Sequence, residues 1–304
     1  MCGIASIFSK ESVNLKNAID NMVHAANHRG PDAFGHHIED DYAFGHTRLS
    51  IIDLNKRSNQ PFYDKSGRYI IVFNGEIYNF NNIKSKIGNK YKFLTSSDTE
   101  VLLAAYIIFG KSMLDMLNGC FSFSIYDQEQ KVLFFARDRL GIKPLYYYYD
   151  KQYFIISSEL RQILFSGLIK KEIDNNAINQ IVQYQSSKAP STIIKNIKML
   201  NPGNFGQFYK ENFKTFPSEA QIRYLKRGVS QPGGKNLLLE LRPGGHELFV
   251  GCIELLLFLP CSGRVRIVGM ILKSRLGKTG DQPVVVTDGD RVILVVVTPC
   301  TCHG

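Results

Sequence analysis

Cys2 offers the most distinctive chemistry in this 304-residue chain, because it directly follows the initiator Met1. The side chain at position 2 is small, so we expect Met1 to be removed and Cys2 to carry both a thiol and a free α-amine. A thiol with a pKa near ~8.5 is a poor nucleophile at neutral pH, whereas an α-amine with a pKa near ~7.7–8.0 can accept its proton. One residue would then supply nucleophile and base. Taken alone, Cys2 is more typical of a small buried residue that opens a strand.

Six further motifs follow in the chain, each with polar or glycine residues of the kind that binding sites use. They are Arg29-Gly-Pro-Asp32, His46-Thr-Arg-Leu-Ser-Ile-Ile-Asp-Leu54, Asn59-Gln-Pro-Phe62, Asn74-Gly-Glu-Ile-Tyr-Asn79, Ser96-Ser-Asp-Thr-Glu100 and Ala136-Arg-Asp-Arg-Leu-Gly-Ile-Lys-Pro-Leu-Tyr-Tyr147. Several have a plainer interpretation as local structure. Asn74-Gly75 is typical of a hairpin turn, and Asp98 is typical of a helix N-cap.

Together with Met1-Cys-Gly-Ile-Ala5, these motifs resemble, in the same order, the N-terminal glutaminase domain of glutamine-hydrolysing asparagine synthetases. That domain is a class II glutamine amidotransferase of the N-terminal-nucleophile type. The resemblance covers about residues 2–210, including a segment at 190–203 that is similar to the family's linker. It implies hydrolysis of L-glutamine to glutamate and ammonia through a γ-glutamyl thioester on Cys2.

The resemblance also implies a role for individual residues. Arg48 would bind the substrate's α-carboxylate, for which a guanidinium is suited by its bidentate geometry, and Glu76 and Asp98 would bind the α-ammonium. The Asn74 side-chain amide and the Gly75 backbone N–H would stabilise the tetrahedral oxyanion. Arg29 and Asp32 match the family as well, with ordinary loop structure as an equal alternative. The amino-acid pocket would be completed by Leu49, Ser50, Ile51 and Ile52.

The pattern of apolar residues predicts a layered α+β domain. It indicates a strand at 2–8, a helix over 14–28, strands around 42–46, 48–53 and 69–73, and a helix over 101–109 that follows an N-cap cluster. Ser97 and Glu100 have capping-box spacing. Two hairpins are predicted at 121–136 and 145–157, and then a short helix at 158–165. The resemblance implies a four-layer αββα sandwich of two antiparallel sheets between helix layers.

The composition changes near residue 213. Residues 1–212 contain 19 Asn, 14 Tyr and 6 Val, whereas residues 213–304 contain 1 Asn, 1 Tyr and 11 Val. We therefore predict a glutaminase domain over 2–210 and an unrelated segment over 213–304, which is a second domain of another class, or a chimeric or frameshifted sequence. Apolar runs predict that this segment is β-rich, with disorder as the alternative. One hairpin is expected around Asp288-Gly289.

The family's second domain adenylates aspartate with ATP and carries a Ser-Gly-Gly-x-Asp-Ser loop, and no such string follows residue 213. We expect ATP and Mg²⁺ to serve only that domain, and the glutaminase domain to need no cofactor or metal. The terminal Cys300-Thr-Cys302-His303 has no evident fourth ligand.

Two functions stay open: a competent glutaminase that releases ammonia to water or to a partner subunit, and a non-catalytic truncated or fused remnant.

Charge and hydropathy exclude several classes of partner. The formal net charge of +10 is spread evenly along the chain, so nothing indicates nucleic-acid binding. No apolar run reaches the roughly 18 residues needed to span a bilayer, and the N-terminus has no signal-peptide pattern. We expect a cytoplasmic protein with reduced cysteines.

Overall fold

The computed structural model describes residues 1–11, 13–209, 212–218, 284–288 and 291–295, and the chain divides into two compact units, Met1–Pro243 and Gly244–Gly304. The described helices of the first unit are α1 (Lys16–Ala25), α2 (Phe80–Ile87), α3 (Asp98–Phe109), α4 (Leu160–Phe165) and α5 (Asn175–Tyr184). Its described strands are β1 (Gly3–Ser9), β2 (Ala33–Ile38), β3 (Tyr42–Arg48), β4 (Phe62–Tyr63), β5 (Tyr69–Ile77), β6 (Gly119–Asp127), β7 (Val132–Arg137), β8 (Tyr146–Tyr149), β9 (Tyr153–Ser157), β10 (Ile197–Met199), β11 (Asn204–Tyr209) and β12 (Asn212–Pro217).

These strands form two six-stranded antiparallel sheets. The first has the order β10-β8-β9-β1-β3-β2, and the second has the order β12-β11-β7-β6-β5-β4. β1 lies near the middle of the first sheet, between β9 and β3, with Gly3 opposite Thr47. β5 lies one strand from the edge of the second sheet and pairs with β6 along its whole length, from Tyr69 opposite Asp127 to Ile77 opposite Gly119.

Alternation along the strands sorts the side chains into three apolar layers. On β1, Ile4 and Phe8 belong to the cluster between the two sheets, whereas Ala5 and Ile7 pack with residues of α1. On β5, Ile70 and Val72 lie in the layer between the sheets, and the intervening residues pack with α3. Successive side chains of a strand point to opposite faces, so each sheet has one face toward its partner sheet and one toward helices. The predicted αββα sandwich is confirmed.

The start of α3 differs in detail from the predicted capping box. Ser97 is the N-cap, and its hydroxyl accepts the Glu100 N–H at 3.3 Å. The Glu100 carboxylate instead accepts the N–H groups of Leu94 and Thr95 at 2.8 and 2.6 Å. Asp98 is therefore the first residue of the helix, and its carboxylate is not required as the N-cap.

The predicted strand at 48–53 is wrong. β3 runs without interruption from Tyr42 to Arg48, and the chain then leaves the sheet as a loop. This loop bends back over the end of β3 because the Arg48 guanidinium donates to the carbonyls of Ile52, Asp53 and Asn55 at 3.4, 2.5 and 3.1 Å. A buried arginine thus holds the loop in place of strand pairing.

Two features extend or test the predicted boundaries. β12 pairs with β11 from Asn204 opposite Pro217 to Tyr209 opposite Asn212, so the second sheet continues past residue 210. In the second unit, β13 (Val284–Asp288) and β14 (Arg291–Val295) pair antiparallel, with Asp288 opposite Arg291. This agrees with the hairpin expected around Asp288-Gly289. The other apolar runs, at 237–241, 249–259 and 265–272, lie outside the described residues.

Candidate active site

The layer between the two sheets changes from apolar to polar along the strands. On β3 the residues that face this layer are Tyr42, Phe44, His46 and Arg48, in that order. Ser6 on β1 and Ser124 on β6 share a hydrogen bond of 2.8 Å across the layer. Each serine lies two residues before an aromatic residue that faces the same layer, Phe8 on β1 and Tyr126 on β6. The aromatic end holds the sandwich together, and the opposite end presents polar groups to one another.

A cavity of about 130 Å³ lies at the polar end. All but one of the predicted site residues line it. The exception is Ser50, whose N–H donates to the Asp32 carboxylate at 2.7 Å. The lining consists of Met1, Cys2, Arg48, Leu49, Ile51, Ile52, Ser58, Gln60, Phe73, Asn74, Gly75, Glu76, Ser97, Asp98, Thr99 and Lys143.

Cys2 is held at the cavity wall by the end of β3. Its Sγ accepts the Leu49 N–H at 3.4 Å and lies 3.7 Å from the Leu49 carbonyl oxygen. Burial raises the pKa of the Cys2 thiol, and the Leu49 N–H, the N-terminal ammonium, Arg48 and Lys143 oppose that rise. The thiol is therefore protonated at neutral pH, and a base is needed to make it a nucleophile.

Arg29 holds the backbone of Cys2. Its Nε donates to the Cys2 carbonyl at 2.8 Å, and its Nη1 lies 3.0 Å from the Glu159 carboxylate. Glu159 also contacts His28 and Arg161, each at 2.9 Å. Partial burial favours a higher pKa for Glu159, but the hydrogen bonds from Arg29 and His28 outweigh it and lower that pKa. Because Glu159 lies 130 residues after Arg29, sequence spacing offered no signal for this pair.

Asn74 and Gly75 occupy the interior of β5, so the hairpin-turn interpretation is wrong. Only 1% of Asn74 is exposed, and neither atom of its side-chain amide has a hydrogen-bond partner among the described residues. Buried amides are nearly always paired, so this one is available to a ligand. Gly75 has a packing reason that the sequence did not show: a Cβ there would lie 2.3 Å from the Cys120 carbonyl oxygen on β6.

Asp98 faces the same cavity from the first turn of α3. Its Oδ2 accepts the Ile77 N–H at 3.0 Å, which fixes α3 to the end of β5. Burial raises the pKa of Asp98 to about 6, and the negative charge of Glu76 adds to the increase. The two carboxylates are close enough to influence each other, an arrangement that favours binding of a cation between them.

Arg48 also lines this cavity and is almost fully buried. Besides the loop carbonyls, it donates to Asn59 Oδ1 at 2.7 Å. The Asp53 carboxylate fixes the same loop to the approach of α3, because it accepts the N–H and the hydroxyl of Ser96, both at 2.9 Å. These bonds lower the pKa of Asp53 strongly. Sequence reasoning gave no role to Asn59 or Asp53.

Among the described residues, no three His, Cys, Asp or Glu side chains are grouped so that they could hold a metal ion. None of the helices described there is long and apolar enough to cross a membrane. The Cys300-Thr-Cys302-His303 segment lies outside the described residues.

Solved structures share this fold. The glutamine phosphoribosylpyrophosphate amidotransferase from B. subtilis, complexed with ADP and GMP, aligns with a TM-score of 0.52 and 18% identity over 72% of this chain and 49% of that one. The allosteric regulatory enzyme of purine biosynthesis aligns with a TM-score of 0.54 and 19% identity over the same shares. Two antiparallel sheets between helix layers, with Cys2 at the end of a central strand, define an N-terminal-nucleophile-hydrolase-like fold.

Sequence comparison gives the family within that class. Residues 1–219 match the glutamine amidotransferase domain. Asparagine synthetase [glutamine-hydrolyzing] 3 of Bacillus subtilis is 36% identical over 217 residues, which are 69% of this chain and 35% of that protein. Asparagine synthetase B of Escherichia coli is 37% identical over 167 residues, 54% of this chain and 30% of that protein. The chain belongs to the class II glutamine amidotransferase family and spans about a third of the length of these relatives.

Proposed function

We propose that this chain hydrolyses L-glutamine to glutamate and ammonia, with Cys2 as the nucleophile after removal of Met1. The observation that carries the proposal is the buried, unpaired Asn74 amide in the same cavity as the Cys2 thiol. An unpaired buried amide is costly unless a ligand or transition state uses it. Beside a thiol, its amide hydrogens are suited to an oxyanion that forms on a carbonyl carbon.

Charge complementarity supports glutamine as the substrate. Arg48 would attract the α-carboxylate, and Glu76 and Asp98 would bind the α-ammonium that stands on the same carbon. The backbone of Leu49, Ile51 and Ile52 would line the remaining wall. With this charged end held, the side-chain amide at the other end of the substrate would extend toward Cys2.

The reaction then proceeds in two steps. The Cys2 α-amine accepts the thiol proton, and the sulfur attacks the side-chain carbonyl carbon, so that its oxygen becomes an oxyanion beside the Asn74 amide and the Gly75 N–H. The carbon–nitrogen bond breaks as the leaving nitrogen takes that proton and departs as ammonia. Water, deprotonated by the α-amine, then attacks the γ-glutamyl thioester, which releases glutamate and restores the thiol.

The proposed step needs neither metal nor cofactor, because nucleophile, base and oxyanion donors all belong to the chain. The ammonia would pass to water or to a partner that carries an ATP- and Mg²⁺-dependent synthetase domain. We also propose that the protein acts in the cytoplasm, where thiols stay reduced. The alternative is a non-catalytic remnant, and it is distinguished by the state of the N-terminus.

Glutamate release from glutamine by the purified full-length protein tests the proposal. Cys2→Ala should abolish release, whereas Cys120→Ala, which removes the other described free cysteine, should retain it. Mass spectrometry of the intact protein should show loss of Met1. Release that persists in Cys2→Ala would refute the mechanism. A retained Met1 together with an inactive wild type would favour the non-catalytic alternative.

A further inference from the structure

The outer edge of β5 is incomplete beside the candidate site. β4 pairs with β5 only at Ile70 and Ile71, so from Phe73 onward none of the described strands covers that edge. Two buried side chains take its place. The Phe73 N–H donates to Gln60 Oε1 at 2.6 Å, and His46 Nε2 lies 3.2 Å from the Phe73 carbonyl oxygen. Both backbone groups of Phe73 are therefore held by side chains rather than by a strand.

The tautomer of His46 follows from its surroundings. A carbonyl oxygen can only accept, so Nε2 must carry the hydrogen. Burial, together with a smaller effect of the neighbouring Arg48 charge, lowers the pKa of His46 to about 3, so the ring is neutral at physiological pH. The Phe73 carbonyl partly opposes this effect and is the acceptor that fixes the ring.

The edge held in this way includes the Gly75 N–H, one of the two proposed oxyanion donors, and Asn74, which carries the other, lies between Phe73 and Gly75 on the same strand. Backbone N–H groups alternate in direction along an antiparallel strand, so those of Phe73, Gly75 and Ile77 point to the same edge. The Ile77 N–H is held by Asp98 at 3.0 Å. Gly75 thus lies between two residues whose peptide groups are fixed by buried side chains from other elements.

Gln60 also connects this edge to α3. Its Nε2 donates to Thr99 Oγ1 at 3.3 Å, and Thr99 follows Asp98 in the first turn of the helix. One amide side chain therefore joins the strand that carries Asn74 and Gly75 to the helix that carries Asp98. Both Gln60 and His46 belong to motifs that carry the family resemblance, but the sequence reasoning gave neither residue a role of its own.

We propose that Gln60 and His46 are positioning residues that set the direction of the Asn74 amide and the Gly75 N–H by clamping Phe73. This inference rests on the proposed glutaminase function. Neither side chain needs to touch glutamine. Because an oxyanion exists only after attack, displaced donors weaken the transition state more than the bound substrate. The effect should fall on kcat, with KM for glutamine little changed.

Four variants of the full-length protein test the clamp. Gln60→Met keeps the length of the side chain but loses both hydrogen bonds, and His46→Phe keeps a ring without the Nε2–H donor. His46→Gln restores an N–H donor at similar reach. Tyr42→Phe is the matched control, since it removes a 2.6 Å hydrogen bond to Gln128 at the other end of the same strand β3.

We expect kcat to fall roughly tenfold or more in Gln60→Met and His46→Phe, because complete loss of one oxyanion donor costs about 10²–10³-fold and displacement costs less. KM should change by less than about threefold, and His46→Gln should recover most of the lost kcat. Tyr42→Phe should lower the melting temperature while kcat is retained.

The two proposals fail in different ways. If the wild type hydrolyses glutamine but the clamp variants lose only stability, as Tyr42→Phe does, the clamp is purely structural and the inference is overturned. A rise in KM equal to the loss of kcat/KM, with kcat intact, overturns it as well. A wild type with Met1 removed that releases no glutamate overturns the proposed function, and this inference with it.

Discussion

Replacing Asn74 by alanine should separate function from stability. Asn74 is buried, and neither its Nδ2 nor its Oδ1 has a partner among the described residues. A paired amide contributes to stability, but an unpaired one carries a desolvation cost of about 1–3 kcal/mol. Asn74→Ala removes that cost and loses only a few packing contacts beside an existing cavity, worth about 1 kcal/mol. The free energy of unfolding should therefore stay the same or rise by up to about 2 kcal/mol.

Asn74→Ala should lower kcat even though it does not lower stability. Loss of one oxyanion donor costs about 3–4 kcal/mol of barrier, which is about 10²–10³ in kcat. For a unit of this size, each kcal/mol of stability shifts the melting temperature by about 2–4 °C. We expect kcat to fall at least about 100-fold while the melting temperature is unchanged or a few degrees higher. Thermal unfolding and glutamate release, measured on the same preparation, provide both quantities.

Asn79 provides a matched control on the same stretch of chain. Its Nδ2 donates to the Met116 carbonyl at 2.8 Å, and its Oδ1 accepts the Asn118 N–H at 2.9 Å. Asn79→Ala should therefore lose about 1–3 kcal/mol of stability and keep kcat within about threefold. If Asn74→Ala instead lost as much stability as Asn79→Ala, or kept its kcat, the assignment of Asn74 as a reserved oxyanion donor would be refuted.

Three further predictions concern other parts of the site. The pKa of Asp98 is raised to about 6, and the carboxylate must be ionised to bind an ammonium group, so kcat/KM should decline as the pH falls through about 6. Asp98→Asn should lower kcat/KM and remove that step from the pH profile. Arg48→Lys should raise KM for glutamine at least about tenfold and lower the melting temperature. A lysine ammonium has no planar fork, so it cannot hold the loop carbonyls and also contact the substrate carboxylate that we propose for this site. Steady-state kinetics with KM unchanged would contradict this role. Gly75→Ala should lower the free energy of unfolding by about 1–3 kcal/mol or more, because its Cβ would lie 2.3 Å from a carbonyl oxygen of β6. Chemical denaturation measures this change. An unaltered unfolding midpoint would contradict the prediction and show that β5 and β6 can move apart.

Local sequence pattern predicted the elements whose strands pair with near neighbours. The hairpins β6–β7 and β8–β9 were predicted because short apolar runs flank a turn in each. Strands at sheet edges were missed. β2 and β12 both lie at an edge and expose much of their surface, so little apolar alternation marks them. α2 was missed because only Ile83 and Ile87 of its eight residues are buried.

The candidate site was predicted more completely than the fold, with a few instructive differences. Motif resemblance selected Cys2, Arg48, Asn74, Gly75 and Asp98, and all five line one cavity. It gave no supporting role to Asn59, which accepts a hydrogen bond from Arg48, or to Glu159, which contacts Arg29 from 130 residues further along the chain. The loop after β3 was predicted as a strand because Ile51 and Ile52 are β-prone. In the structure its carbonyls accept hydrogen bonds from the Arg48 guanidinium, so the loop does not pair as a strand.

Motifs along the chain are enough to identify the candidate nucleophile Cys2, the family of the first 219 residues and the change of composition near residue 213. The packed fold fixes which polar groups are already paired and which are left for a ligand. Asn74 and Asn79 are the same residue type five positions apart, yet the Asn74 amide has no partner among the described residues, whereas the Asn79 amide bonds to Met116 and Asn118. The hydrogen-bond partners of a buried group come from segments that are distant in the chain and come into contact only in the folded protein, so local sequence does not specify them.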